Sequence, residues 1–182
     1  MGPVDTCPGC AFTYGVLPRA SLPLSLGDLG REMAARLSGG PPEALARRRR
    51  DDEWSPLEYA CHVRDLLLVQ RDRLYVALVE DEPSFKPMYR DQRVGFDRYG
   101  EQVPAVVAAQ LVMAAAMASH AFAGLSDDQW GRPLIYNFPE PSHRDVEWMA
   151  HHTLHELVHH RADIERILGD GDGEWHGDGV TE

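Results

Sequence analysis

The spacing of apolar positions along the chain predicts four long helices and no strand. The first runs from about Ser25 to Ser38 and is stopped by Gly39-Gly40-Pro41-Pro42. The second has a strong start signal: Ser55 as N-cap, Pro56 at the first helical position and Glu58 completing a capping box. Its apolar stripe continues to about Val79. The third, rich in alanine and methionine, spans about Pro104 to Gly124, and the fourth spans about Asp145 to Leu168 and ends at Gly169. Four such helices predict an all-α fold, a four-helix bundle over residues 25–168. Residues 1–24 are rich in Gly and Pro and read as a non-regular arm on the bundle surface, and residues 169–182 read as an acidic tail expected to fray. The connections 81–102 and 126–144 are longer than simple turns require, and loops of that length are often functional.

Composition narrows the function classes. The 182 residues, 43% of them hydrophobic, suit one domain with a real core. A net charge of -11 disfavours phosphate backbones and anionic membrane surfaces, so neither a nucleic-acid nor a membrane partner is expected. No apolar run is read as approaching the roughly 20 residues that span a bilayer, and the first residues lack the basic and apolar regions of a signal peptide, so a cytoplasmic location is expected. The arginine run Arg47–Arg50, followed by Asp51-Asp52-Glu53, reads as a solvated, self-neutralising loop rather than an anion site. Three cysteines make no disulfide framework. Cys7-Pro8-Gly9-Cys10 fits half a zinc knuckle, a redox pair or a turn. No second CxxC completes a four-cysteine site, which favours a structural role or none, with zinc shared between two chains left open. Cys61 reads as a small buried hydrophobe.

The candidate chemistry lies in the fourth helix. Five of the nine histidines fall there, His151, His152, His155, His159 and His160, and His155 to His159 spells H-E-x-x-H, the zinc-protease motif. Helix phase points elsewhere. The apolar face is centred near Val146, Leu157 and Ile164; His160 lies roughly 40° from that centre and Glu156 roughly 80° on the same flank. His155 and His159 fall roughly 140° or more away and are expected to meet water, as is His151. Glu156 and His160 therefore form the pair able to point inward, one turn apart. A third ligand is available on the second helix, where His62 sits in a stripe with Tyr59, Leu66 and Val69; it is either a core histidine satisfied by a hydrogen bond or a ligand facing the fourth helix. Two imidazoles and a carboxylate form a catalytic ligand set with positions left for water or substrate. Zinc is the expected divalent metal, and nickel, manganese or iron suit the same donors. Asp65, one turn beyond His62, is a candidate to orient an imidazole; His152 borders the same flank as a proton shuttle or polar filler, and His120 is a weaker candidate.

Trp54 to Asp65 resembles the signature W-[ST]-x-x-E-x-x-x-H-x-x-D of the DinB-like superfamily, and His155 to Ile164 resembles that superfamily's final-helix signature. The superfamily includes mycothiol-dependent maleylpyruvate isomerases and bacillithiol transferases. The resemblance implies a four-helix bundle holding a divalent metal, with His62, Glu156 and His160 as ligands. It further implies a metal-dependent transferase or isomerase that activates a low-molecular-weight thiol, with mycothiol as the candidate. The resemblance assigns no role to Cys7 or Cys10, and the chain has no obvious second domain like that of the isomerases. A small-molecule substrate is expected to meet Tyr89, Arg90, Arg93, Tyr136 and Asn137 from the two long connections, and a homodimer is the expected assembly. Two other classes use the same sequence features: a hydrolase with metal-bound water as nucleophile, and a non-catalytic binding or stress protein.

Overall fold

The computed structural model describes residues 5–169; the expected tail from 170 onward lies outside the described residues. Four long helices dominate: α1 (Leu22–Leu37), α3 (Pro56–Val79), α5 (Pro104–Ala123) and α7 (Val146–Leu168). Three short ones, α2 (Pro42–Ala46), α4 (Arg90–Phe96) and α6 (Asp127–Trp130), lie in the connections. α1 begins three residues before the expected Ser25, because Pro23 has the φ suited to a first turn. The other three long helices start and stop where their caps place them, with Gly124 and Gly169 at the C-terminal ends of α5 and α7.

α1 packs on α5 and α7, and α3 packs on the same two, which closes the bundle. The α1–α5 contact depends on small residues: a Cβ added at Gly30 would lie 2.2 Å from Ala115 Cβ. α5 corrects one expectation. Its 20 residues are long and apolar enough to cross a membrane by length and composition. Here Val107, Leu111, Ala114, Ala115, Ala118 and Phe122 of that helix are buried in the core.

A second correction is a small sheet. β1 (Ser84–Phe85) pairs in parallel with β2 (Pro133–Asn137), which pairs antiparallel with β3 (Pro141–Asp145). β2 alternates buried with less buried positions, Leu134 and Tyr136 pointing in. The strands escaped the sequence reading because β1 has only two residues and β3, Pro-Ser-His-Arg-Asp, lacks branched or aromatic side chains. The sheet turns the two long connections into one wall. Tyr136 Oη accepts from Gln70 Nε2 (3.0 Å) and Arg73 Nη1 (2.9 Å) of α3, and Asn137 Nδ2 donates to Phe85 O at 2.9 Å.

Gly30→Ala is expected to force α1 from α5 and destabilise the fold by about 1–3 kcal/mol. Gly27→Ala is the control, because its added carbon would meet Arg31 at 3.5 Å and Ser119 Oγ at 3.7 Å, ordinary contacts. It is expected to be neutral or to stabilise by up to about 1 kcal/mol. Urea denaturation of both variants checks the pair.

Candidate metal centre

Residues before α3 fix the angle at which His62 enters the core. Ser55 Oγ accepts from Glu58 N (3.2 Å) while Ser55 N donates to Glu58 Oε2 (2.7 Å), the capping box expected from the sequence. Arg48 then grips the Glu58 carboxylate with two nitrogens, Nε to Oε2 at 2.8 Å and Nη2 to Oε1 at 2.7 Å. So one member of the arginine run, read as a solvated loop, is tied to a buried carboxylate. The Trp54 ring lies 5.3 Å from the His62 ring and covers it. On α7, Asp145 caps the helix by accepting from Trp148 N at 2.7 Å.

His62, Glu156 and His160 converge between α3 and α7, offering one ligand atom each within 4.8 Å of one another. Glu156 Oε2 lies 3.9 Å from His62 Nε2 and 3.6 Å from His160 Nε2. Both distances are too long for hydrogen bonds and of the size expected between donors sharing an ion. His62 is 1% exposed and His160 6%. Both nitrogens of His62 and Nε2 of His160 are buried without a hydrogen-bond partner. Such orphaned atoms cost folding free energy, so their convergence fits a cation-binding role. The other His160 nitrogen, Nδ1, faces Asp163 Oδ2 at 2.9 Å, which leaves Nε2 toward the centre.

Electrostatics follow from this crowding. Burial by itself raises the Glu156 carboxyl, but close contacts with His155, His160 and His62 outweigh it and hold the group well below its ordinary range. Burial lowers His160, yet Asp163 and Glu156 together lift it to about 9. Burial dominates at His62 and pushes it down.

Several expectations need correction. His155 does not meet open water, because the arm residues Phe12 and Tyr14 cover it; His159 stays 34% exposed, as expected in part, with Cys7 of the arm against its ring. The helical phase was right, but the second layer over that face comes from residues 140 or more positions away, invisible to periodicity. His151 is buried, with both nitrogens lacking a hydrogen-bond partner. Asp65 orients no imidazole; it accepts from Arg64 Nε (2.8 Å) and Tyr99 Oη (2.6 Å). Asp163 holds the orienting position instead, and its i+3 spacing from His160 was the available signal. His152 borders the centre as expected, with Nδ1 at 2.9 Å from Tyr14 Oη. His120 stays exposed on α5, away from the site.

His62 and Glu156 open onto a cleft of about 440 Å³. Its walls include Arg73, Lys86, Tyr89, Arg90, Asp91, Tyr136, Asn137, Phe138 and His152. Four of the five substrate candidates from the connections are among them; Arg93 instead donates to Met88 O at 2.9 Å.

Comparison with known proteins agrees with this architecture. A model of the DinB superfamily matches residues 26–164. The chain belongs to the DinB superfamily. The DinB region takes in α3 and α5 whole and most of α1 and α7, and leaves the arm at 5–21 outside it. A solved structure, YfiT from Bacillus subtilis, described as a probable metal-dependent hydrolase with an unusual four-helix bundle topology, has a TM-score of 0.70 to this DinB chain. It covers 83% of this chain and 87% of its own at 16% identity, a likeness that shows the fold. No functionally curated protein matches the sequence.

The Glu58 clasp of this DinB protein yields a stability prediction. Burial raises the Glu58 carboxyl, but the hydrogen bonds from Arg48 and from the Ser55 backbone bring it below its ordinary 4.5. A depressed folded-state value means that the stabilisation is full above the unfolded-state value and is lost as pH falls through the folded one. Glu58→Gln is expected to cost about 1–3 kcal/mol at neutral pH, and the gap to the parent should close in acid. Urea melts across the acid range check both parts.

Proposed function

We propose that His62, Glu156 and His160 hold one divalent metal ion and that the protein is a metal-dependent enzyme acting on a small anionic molecule. The observation that carries this reading is the convergence of buried, unpartnered imidazole nitrogens and one carboxylate at the end of a cleft. Core histidines satisfied by hydrogen bonds would not leave those atoms orphaned. Zinc is the proposed ion, and nickel, manganese and iron suit the same donors.

When bound there, such an ion would supply Lewis acidity and lower the pKa of a thiol or water. The chain's own residues supply orientation. Asp163 holds His160 by Nδ1, and the Trp54 ring presses His62 into place. Arg73, Lys86 and Arg90 line the cleft and suit a carboxylate-bearing substrate or thiol, in a protein whose net charge is -11. With Nδ1 of His152 engaged by Tyr14, Nε2 is the atom left to carry a proton for a bound substrate.

The leading reading is transfer or isomerisation assisted by a low-molecular-weight thiol such as mycothiol, supported by the two helix signatures and by a cleft large enough for a small thiol beside its acceptor. A second reading, hydrolysis by metal-activated water, is favoured by the likeness to YfiT.

His62→Ala and His160→Ala are each expected to lose the ion from this centre, measured by elemental analysis, with circular dichroism confirming the fold. Asp163→Asn is expected to keep the fold and weaken metal affinity about 10- to 100-fold, measured by competition with a chelator. Turnover of small electrophiles by metal-loaded protein should require added thiol. Turnover of esters or amides at equal rate without thiol would replace the first reading with the second.

A further inference from the structure

The arm, which the DinB match leaves out, is an ordered hairpin. Thr6 and Thr13 form an antiparallel bridge, Cys7 N donates to Phe12 O at 2.8 Å, and Tyr14 N donates to Asp5 O at 2.9 Å. At its tip Ala11 N donates to Cys7 O at 2.8 Å, and Ala11 itself takes a left-handed φ of 57°. This turn brings both cysteines over the outer face of α7, opposite His155 and His159.

One atom from each of Cys7, Cys10, His155 and His159 lies within 4.8 Å of the other three. Cys7 Sγ is 3.6 Å from His159 Nδ1. Sulfur and nitrogen bound to one tetrahedral zinc at their usual bond lengths stand about 3.5 Å apart. His155 Nε2 is buried with no hydrogen-bond partner. A Cβ on Gly9 would meet His159 Cε1 at 2.9 Å, so the glycine between the cysteines lets the imidazole approach.

We propose that Cys7, Cys10, His155 and His159 form a second metal site, a closed tetrahedral zinc site that fastens the arm to α7. The donor set decides the ion: two thiolates and two imidazoles at C-x2-C and H-x3-H spacing suit zinc, with no position left for substrate. Binding releases the two thiol protons to solvent. The H-E-x-x-H sequence thus serves metal binding, though not as in a protease, because its glutamate points away toward His62 and His160.

The site also reaches the first centre. Ligation through His155 Nε2 puts the ring's remaining hydrogen on Nδ1, which stands 3.0 Å from Tyr14 Oη and 3.3 Å from Glu156 Oε1. The outer oxygen of Glu156 is then steadied by a zinc ligand while Oε2 faces the triad. Only this coupling rests on the reading of the triad; the zinc site stands without it.

The test uses the full chain, stripped of metal and reloaded with cobalt(II) or zinc under reducing conditions. The wild type is expected to bind two equivalents and to show a thiolate-to-cobalt charge-transfer band in the near ultraviolet. Cys7→Ser/Cys10→Ser should lose the band and one equivalent. His62→Ala/His160→Ala should keep the band and lose the other equivalent, so failure of one centre is separable from failure of the other. Absence of the band from the wild type overturns the proposal, as does its persistence in the cysteine variant. A Cys7–Cys10 disulfide in the zinc-supplemented protein would also overturn it.

Discussion

The carboxylate of Glu156, half-buried at the end of the cleft, is the constraint around which the rest of the site is arranged. An ion of this kind is several kcal/mol more costly inside a protein than in water unless charge or hydrogen bonds compensate. The fold surrounds it with imidazoles: His62 from α3, and His155 and His160 from its own helix. Those rings must themselves be held. Asp163 fixes His160, Trp54 covers His62, and Tyr14 meets His155 and His152. Each support is supported in turn, down to Arg48 clasping the cap of α3. A bundle held only by apolar packing would need none of this.

One α-helix serves two clusters because its successive residues point about 100° apart. His155 and His159 share one direction; Glu156 and His160 share the next. The run His155-Glu156-Leu157-Val158-His159-His160 is therefore two interleaved pairs at i, i+4, each meeting a different partner element. The inner pair meets α3, and the outer pair meets the arm. Read as one motif, the run suggests a single centre; read by phase, it separates into two.

Much of this was legible in the sequence where the information is local. Caps at Ser55, Asp145 and Gly169 set helix ends, and phase alone assigned Glu156 and His160 to the interior. What escaped depends on contacts between distant segments. Nothing near His159 says that Cys7, 152 residues earlier, will cover it. The role of Asp65 is not legible because Tyr99 and Arg64 compete for it from positions that periodicity does not weigh. The sheet is not legible because its strands are short and β3 is polar from Ser142 to Asp145; Tyr136 and Asn137 of β2 are anchored by Gln70, Arg73 and Phe85.

The cleft's cationic lining, set in so acidic a protein, has a consequence for which solutes arrive. An approaching anion meets repulsion from the body of the protein at long range and attraction from Arg73, Lys86 and Arg90 at short range. At physiological ionic strength the screening length is about 8 Å, which damps the distant repulsion and spares the near attraction. A small carboxylate can enter far enough to feel only the second. For the small anionic substrate proposed above, ambient salt would then set how strongly the cleft draws it in.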